Sequence, residues 1–269
     1  MGIMPGAEPF EAEGGPVGVL LSHGFTGTPQ SLRPWAEHLA AAGFGVSLPR
    51  LPGHGTRWQE MNVTRWTDWY DEVERAYLRL RERCDQVFAA GLSMGGTLVL
   101  RLAEQHPDSV AGLVLVNPSL GTERRDVKYL VPVLHRLVPS MKGVSSDIKK
   151  PGTTELAYDR TPLRALHQLT QLWATVTADL HRVVAPMLVF RSRVDHVVEP
   201  LSGRLLRQGC GGCEITETVL DDSYHVATLD NDAPTIFAGS VEWIRARSAP
   251  TVTGSGAGAE DRPDDAGRT

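Results

Sequence analysis

The sequence predicts an α/β fold: a mostly parallel central sheet with helices on both faces and an inserted cap. Three observations lead there. Apolar runs of strand length alternate with helical stretches from residue 17 onward, as they do when crossover helices join parallel strands. Gly91-Leu-Ser-Met-Gly95 joins an apolar run to a helical pattern through a turn that only small residues permit. About 70 residues separate the apolar run at 111–116 from the next at 186–190, where an ordinary crossover needs one helix and short loops.

Taken in order, residues 1–16 are acidic and rich in Gly and Pro, without the basic and apolar regions of a secretory leader, so a cytoplasmic location is expected. Val17-Gly-Val-Leu-Leu21 reads as the first core strand, 29–42 as a helix and 43–48 as a strand. Across 64–83, Trp66, Trp69, Tyr70, Val73, Tyr77 and Leu80 recur at helical spacing, which marks the core face of a long amphipathic helix. Strands follow at 86–90 and 111–116, with a helix at 94–106 between them. Residues 118–185 form the expected cap insertion with its crossover helix, dividing a core of 1–117 and 186–247. Within it lie an apolar stretch at 129–138 and a polar half at 145–160. A strand at 186–190, a helix at 201–208 and a last strand at 214–220 complete the core. Residues 248–269 are dominated by Gly, Ser, Ala and acidic residues, cannot form a core, and are expected to be disordered.

A strand that turns sharply into a helix at Gly-x-Ser-x-Gly holds the serine in a strained conformation and presents its hydroxyl at the C-terminal edge of the sheet. Ser93 occupies that place. A serine hydroxyl is a weak nucleophile, so it needs a histidine to take its proton and a carboxylate to fix that histidine's tautomer. With this elbow the partners follow in the order acid, then histidine, each beyond a later strand. Asp195 lies just past the strand at 186–190, and His225 just past the strand at 214–220. His196 is one step along from Asp195 and reads as solvated or structural, while Asp221 and Asp222 read as exposed turn carboxylates. His23 and His54 precede the elbow and suit hydrogen-bonding to loop backbone. Acyl transfer also needs donors for an oxyanion. The backbone N–H of Met94 supplies one, and that of Phe25, in the glycine-bearing loop after the first strand, is the best candidate for the other.

The chain's 269 residues, 41% of them apolar, suffice for one large core. A formal net charge of -5 without a basic cluster argues against nucleic acid as a partner. No stretch approaches the roughly 20 apolar residues of a membrane span, so contact with lipid aggregates would be transient. Nothing in the sequence specifies an oligomeric state. Three cysteines argue against a disulfide framework. Cys210 and Cys213 have redox spacing but sit in a Gly-rich link, and neither a redox nor a metal role is assigned; Cys84 reads as a small packed residue.

These segments resemble the α/β-hydrolases and, within them, the bacterial monoacylglycerol lipases and related carboxylesterases. The resemblance rests on His23-Gly-Phe-Thr-Gly-Thr-Pro29, Leu48-Pro-Arg-Leu-Pro-Gly-His-Gly-Thr56, Gly91-Leu-Ser-Met-Gly-Gly-Thr97, Glu155-Leu-Ala-Tyr158 with Thr161-Pro162, Asp195-His-Val-Val198 and Ser223-Tyr-His-Val-Ala-Thr-Leu-Asp230. It spans about residues 16–247, with Cys210-Gly-Gly-Cys213 and the tail after Arg247 departing from the pattern. It implies an α/β-hydrolase fold, a catalytic triad of Ser93, Asp195 and His225, and oxyanion amides on Phe25 and Met94.

The expected function is hydrolysis of monoacylglycerols to fatty acid and glycerol through an acyl-enzyme, with a lipid ester as substrate and no cofactor or metal. The alternatives are a general carboxylesterase and, in another class, a ligand receptor with slow turnover on the same scaffold. A dehalogenase on this fold would be expected to carry aspartate in place of Ser93. Leu130, Val133, Leu134, Leu137, Val138 and Val144 are the expected apolar lining under the cap, and Glu155 the expected partner of a glycerol hydroxyl. Activity is expected to fall on the acid side near the ordinary histidine value of roughly 6.5.

Overall fold

The computed structural model of the protein describes residues 2–143 and 146–248. The chain runs β1 (Phe10–Ala12), β2 (Val17–Ser22), α1 (Arg33–Ala41), β3 (Gly45–Leu48), α2 (Trp58–Met61), α3 (Trp66–Arg81), β4 (Gln86–Leu92), α4 (Met94–Gln105) and β5 (Val110–Val116). It continues through α5 (Val131–Leu134), β6 (Ser140–Lys142), β7 (Arg160–Pro162), α6 (Leu163–Asp179), β8 (Met187–Ser192), α7 (Leu201–Gly209), β9 (Ile215–Leu220) and α8 (Ala233–Arg247). A seven-stranded sheet has the order β1-β3-β2-β4-β5-β8-β9. Every pairing in it is parallel except that of β1 with β3.

Both faces of the sheet are covered because the side-chain period of two puts successive apolar residues on opposite sides. Along β2, Leu20 joins the core under α3, α4 and α6, while Val19 and Leu21 join the core under α1 and α8. Along β5, Leu113 and Leu115 take the first side and Val114 and Val116 the second. The stripe on α3 behaves as its spacing predicts: Trp69, Tyr70, Val73, Tyr77 and Leu80 are buried, with Trp66 packed at the margin. The helix starts where the Asp68 carboxylate accepts the Arg65 N–H at 2.8 Å, satisfying a donor at a helix end.

Several elements lie outside the expected set, among them the helices α2 and α8 and the strands β1, β6 and β7. Three residues of the acidic N-terminal segment pair antiparallel with β3, Phe10 opposite Leu48, and protect the sheet edge. In the insertion between β5 and β8, β6 and β7 make a small antiparallel pair and α6 is the long crossover helix that returns the chain to β8. The expected helix at 29–42 is a 3-10 turn, Pro29–Leu32, leading into α1. No helix among the described residues is long and apolar enough to cross a membrane. The expectation of a disordered tail falls on residues 249–269, outside the described residues.

Candidate active site

Four strands of the parallel sheet end on the same side, and the loops after β2, β4, β8 and β9 carry Phe25, Ser93, Asp195 and His225. Ser93 has φ 55° and ψ -119°, a conformation that favours glycine and that a serine holds only when its surroundings enforce it. The enforcement is steric. A side chain at Gly91 would meet Gly95 backbone at 2.4 Å, and one at Gly95 would meet the Ser22 carbonyl oxygen at 1.8 Å. The Ser93 N–H donates to the Val116 carbonyl at 3.0 Å, and its own carbonyl accepts the Ser119 N–H at 3.2 Å, so β5 grips the turn from the side.

The loop after β2 passes close to the serine: a side chain at Gly24 would lie 3.6 Å from Ser93 Cβ. Thr26 follows with φ 61°, and its hydroxyl donates to the Phe25 carbonyl at 2.6 Å. His23 is fully buried beneath this loop, where its ring bonds the Gly24 carbonyl at 3.0 Å and accepts the Leu51 N–H at 3.2 Å. His54 bonds the Pro52 carbonyl at 3.0 Å. Burial lowers the pKa of both, His54 to about 4, so these rings are neutral braces for the loop backbone at neutral pH. Met94 is the first residue of α4, where an N–H has no intrahelical acceptor.

His225 is buried, and its Nδ1 pairs with Asp195 Oδ2 at 2.8 Å. The other Asp195 oxygen accepts the N–H groups of Val197 and Val198, both at 2.8 Å. Burial acts to raise the Asp195 carboxyl, but the His225 charge and these hydrogen bonds outweigh it and hold its pKa below the ordinary value. For His225 burial favours the neutral ring, while Asp195, Glu155 and Asp147 favour the imidazolium and win, so its pKa lies above 6.5. The acid fall-off expected near 6.5 is thereby moved upward. With Nδ1 engaged by Asp195, Nε2 is the ring nitrogen left to exchange a proton.

Ser93 and His225 line one cavity of about 260 Å³, together with Phe25, Asp147 and Glu155. Its apolar wall comes in part from the insertion, through Val127, Met141, Leu166, Leu169 and Trp173, and in part from the core, through Leu92, Val197, Val198 and Val226. This corrects the expected lining. Leu134 and Leu137 stand 38% and 79% exposed on the outer side of the insertion and do not line this cavity. Leu130, Val133 and Val138 are exposed as well, and Val144 lies outside the described residues. An apolar run cannot tell the inner from the outer face of a short-helix segment. The spacing of Leu166, Leu169 and Trp173 on α6 is the signal that points inward.

Glu155 is held by stitching between the insertion and the β2 loop. Its N–H donates to Ser146 Oγ at 2.9 Å, the next N–H reaches Gln30 Oε1 at 2.9 Å, and Tyr158 N–H reaches the Thr26 carbonyl at 3.1 Å. The Tyr158 hydroxyl donates to the Gly53 carbonyl at 2.7 Å. The Glu155 carboxylate packs against Gly27, where a Cβ would lie 2.6 Å from Oε1. Burial raises its pKa to about 7, against the lowering effect of His225.

Other candidates have other places. His196 Nδ1 bonds the Asp147 carboxylate at 2.8 Å. Asp221 and Asp222 are exposed and pair with Arg193 and Lys149. Cys84 is buried, Cys213 Sγ donates to the Cys210 carbonyl at 3.2 Å, and burial pushes all three thiols up, away from reactivity.

The family model described as Hydrolase_4, serine aminopeptidase, S33, matches residues 17–232. A thermostable monoacylglycerol lipase of Bacillus sp. (strain H-257) is 47% identical over 245 residues, which cover 90% of this chain and 96% of that one. A carboxylesterase of Bacillus subtilis (strain 168) is 27% identical over 239 residues, covering 88% and 96%. Among solved structures, one reported with the metagenome-derived lipolytic enzymes LipS and LipT superposes with a TM-score of 0.88 at 43% identity, over 91% of this chain and 100% of that one. The monoacylglycerol lipase of Paleococcus ferrophilus gives 0.72 at 25% identity, over 90% and 100%. A serine held at a strained strand–helix turn and a histidine paired with a carboxylate thus stand in a chain that belongs to the Hydrolase_4, serine aminopeptidase S33, family of α/β-hydrolases.

Proposed function

We propose that the chain is a monoacylglycerol lipase, a serine hydrolase that releases fatty acid and glycerol through an acyl-enzyme. The observation that carries this reading is one cavity holding Ser93, the Asp195-paired His225, an apolar wall and the buried Glu155 carboxyl. In this mechanism Ser93 attacks the ester carbonyl while His225 Nε2 takes its proton and Asp195 holds the ring's tautomer and neutralises the imidazolium. The oxyanion forms against the N–H groups of Phe25 and Met94, each worth about 3 kcal/mol to the transition state. His225 returns the proton to the leaving glycerol oxygen, and water then repeats the cycle on the acyl-enzyme.

Substrate choice follows from the cavity's two kinds of wall. Val127, Leu166, Leu169 and Trp173 take the acyl chain at about 0.8 kcal/mol per buried methylene. Glu155, next to His225 and near half-ionised at neutral pH, accepts a hydrogen bond from a glycerol hydroxyl. A cytoplasmic location is carried as part of the same proposal, and three cysteines that stand as free thiols are consistent with it.

The test is steady-state hydrolysis of 1-lauroylglycerol beside methyl laurate, p-nitrophenyl acetate and dilaurin, with Ser93→Ala as control. A kcat/KM advantage for the monoglyceride that the mutation abolishes is expected. Turnover of the simple esters equal to or above that of the monoglyceride would instead favour a general carboxylesterase, the reading to which the Bacillus subtilis relative lends weight. A single slow turnover would indicate a ligand receptor. In Glu155→Gln the ratio of monoglyceride to methyl-ester turnover should fall; an unchanged ratio contradicts the glycerol contact.

A further inference from the structure

Both main-chain polar groups of His225 are taken by side chains from other parts of the fold. Its carbonyl accepts from Asn117 Nδ2 at 2.8 Å, and its N–H donates to Asp147 Oδ2 at 3.1 Å. Each of these side chains also holds the loop that carries Asp195. Asn117 Oδ1 accepts the Ser192 N–H at 2.8 Å while Nδ2 reaches Ser192 Oγ at 3.0 Å; that hydroxyl in turn donates to the Tyr224 carbonyl at 2.8 Å. Asp147 Oδ2 accepts the His196 N–H at 3.2 Å, and Oδ1 pairs with the His196 ring at 2.8 Å.

We propose that Asn117 and Asp147 are a pair of positioning residues that clamp the His225 loop to the Asp195 loop from opposite sides, and that through Asp147 the insertion completes the placement of the histidine. The proposal rests on the Ser93–His225–Asp195 reading. Asn117 is buried at the end of β5 with φ 42°, a left-handed conformation that asparagine tolerates better than most residues. Asp147 comes from the insertion, and the segment bearing it is pinned to the histidine loop twice more. Asp147 O accepts the Val226 N–H at 3.1 Å. The buried Asp230 carboxylate accepts the N–H groups of Lys149, Lys150 and Tyr224 at 2.7–2.9 Å. Withdrawing the insertion therefore removes the acceptor of the His225 N–H. The charged groups facing His225 are Asp195 from its own loop partner and Glu155 and Asp147 from the insertion, all of which favour its protonated form.

The experiment follows p-nitrophenyl acetate hydrolysis against pH in Asn117→Gly, Asp147→Ala and Asp147→Asn, with Ser93→Ala alongside and unfolding followed for each. Glycine accepts φ 42° without strain, so Asn117→Gly removes the hydrogen bonds while sparing the backbone. Expected are a fall in kcat on the order of tenfold to a hundredfold with a smaller change in KM, and, in both Asp147 variants, an acid limb moved to lower pH. Asp147→Asn, which keeps an acceptor oxygen, should recover part of the kcat but not the limb. Folded variants with wild-type kcat and an unmoved acid limb, even with lowered melting temperatures, would overturn the clamp. Full turnover by Ser93→Ala would instead overturn the triad reading beneath it.

Discussion

At the scale of single residues, the site stores strain where it does chemistry. Ser93 at φ 55° and ψ -119° carries a backbone cost of about 1–3 kcal/mol that a glycine would not. Comparing Ser93→Ala with Ser93→Gly separates the hydroxyl from the strain, because both remove the nucleophile and only the second relieves the backbone. Both should be inactive. Ser93→Gly should exceed Ser93→Ala in stability by about 1 kcal/mol, after glycine's greater freedom in the unfolded chain is set against the relief, and should show a higher denaturation midpoint at unchanged m-value. A lower midpoint for Ser93→Gly than for Ser93→Ala, the order that glycine's freedom in the unfolded chain gives by itself, would mean that the turn is unstrained. The residues around this chemistry differ in how far the sequence announces them. Ser93, Asp195 and His225 are marked by an elbow motif and by their order after successive strands, and the structure brings Asp195 to His225 and sets Ser93 in the same cavity as His225. Asn117 and Asp147 belong to no motif. Their partners are backbone groups far away in sequence, Asn117 to His225 and Asp147 to His196 and His225, and such pairings leave no local pattern.

Elements show the same division between local signal and tertiary context. The strands β2, β4, β5 and β8 read clearly because each is a mainly apolar run, and β9 because its β-branched residues lie between a Gly-rich link and an acidic turn. By contrast β1 is too short at Phe10–Ala12 to show a period of two, and its charged Glu11 and flanking glycines argue locally against a strand; pairing with β3 decides it. The insertion is legible as an excess of length, yet its apolar stretch at 129–138, the expected cavity lining, lies largely exposed, since periodicity over α5 and one π turn cannot choose a face. Where α4 meets the sheet, the two glycines after Met94 have separate duties. A Cβ at Gly95 would lie 1.8 Å from the Ser22 carbonyl oxygen and 2.8 Å from that of His23, both backbone, so neither side can yield without moving α4 off β2. A Cβ at Gly96 would lie 3.0 Å from the Pro118 side chain, a contact that small shifts absorb. Gly95→Ala should therefore cost more than about 4 kcal/mol and yield little folded protein, and Gly96→Ala about 1–3 kcal/mol with the fold retained. Similar expression and melting of the two variants would show that α4 is not seated by its contact with β2.

Across the whole molecule, buried ionisable groups divide into two sets that pull stability in opposite directions with pH. His23 and His54 have lowered pKa values, so below 6.5, and down to about 4 for His54, the unfolded chain binds more protons than the folded one and stability rises with pH. Glu104, fully buried on α4, and Glu155 are both raised by burial to about 7; here the folded chain binds more protons, and the stability present below 4.5 is lost as pH rises through 7. His54 and Glu104 each represent on the order of 3 kcal/mol over their windows, so the two sets largely offset one another between pH 4.5 and 6.5. Outside that range nothing balances them. Below it, protonation of Asp195, whose folded pKa is depressed, removes stability; above 6.5, Glu104, Glu155 and His225, whose folded pKa is raised, all act in the destabilising direction. The melting temperature should therefore be highest between about pH 5 and 6.5. The proposed hydrolysis needs a neutral His225, so its rate should still be climbing at pH values where stability has begun to fall. Glu104 offers the test because it is remote from the reacting groups, paired with Arg101 at 3.0 Å, and has one carboxylate oxygen without a hydrogen-bond partner among the described residues. Melting Glu104→Gln at pH 5, 6 and 8 should show the alkaline loss reduced and the acid side unchanged, because glutamine keeps the shape of the protonated acid and cannot ionise. A parallel fall in both proteins between pH 6 and 8 would remove Glu104 from the balance and leave the alkaline limb to Glu155 and His225.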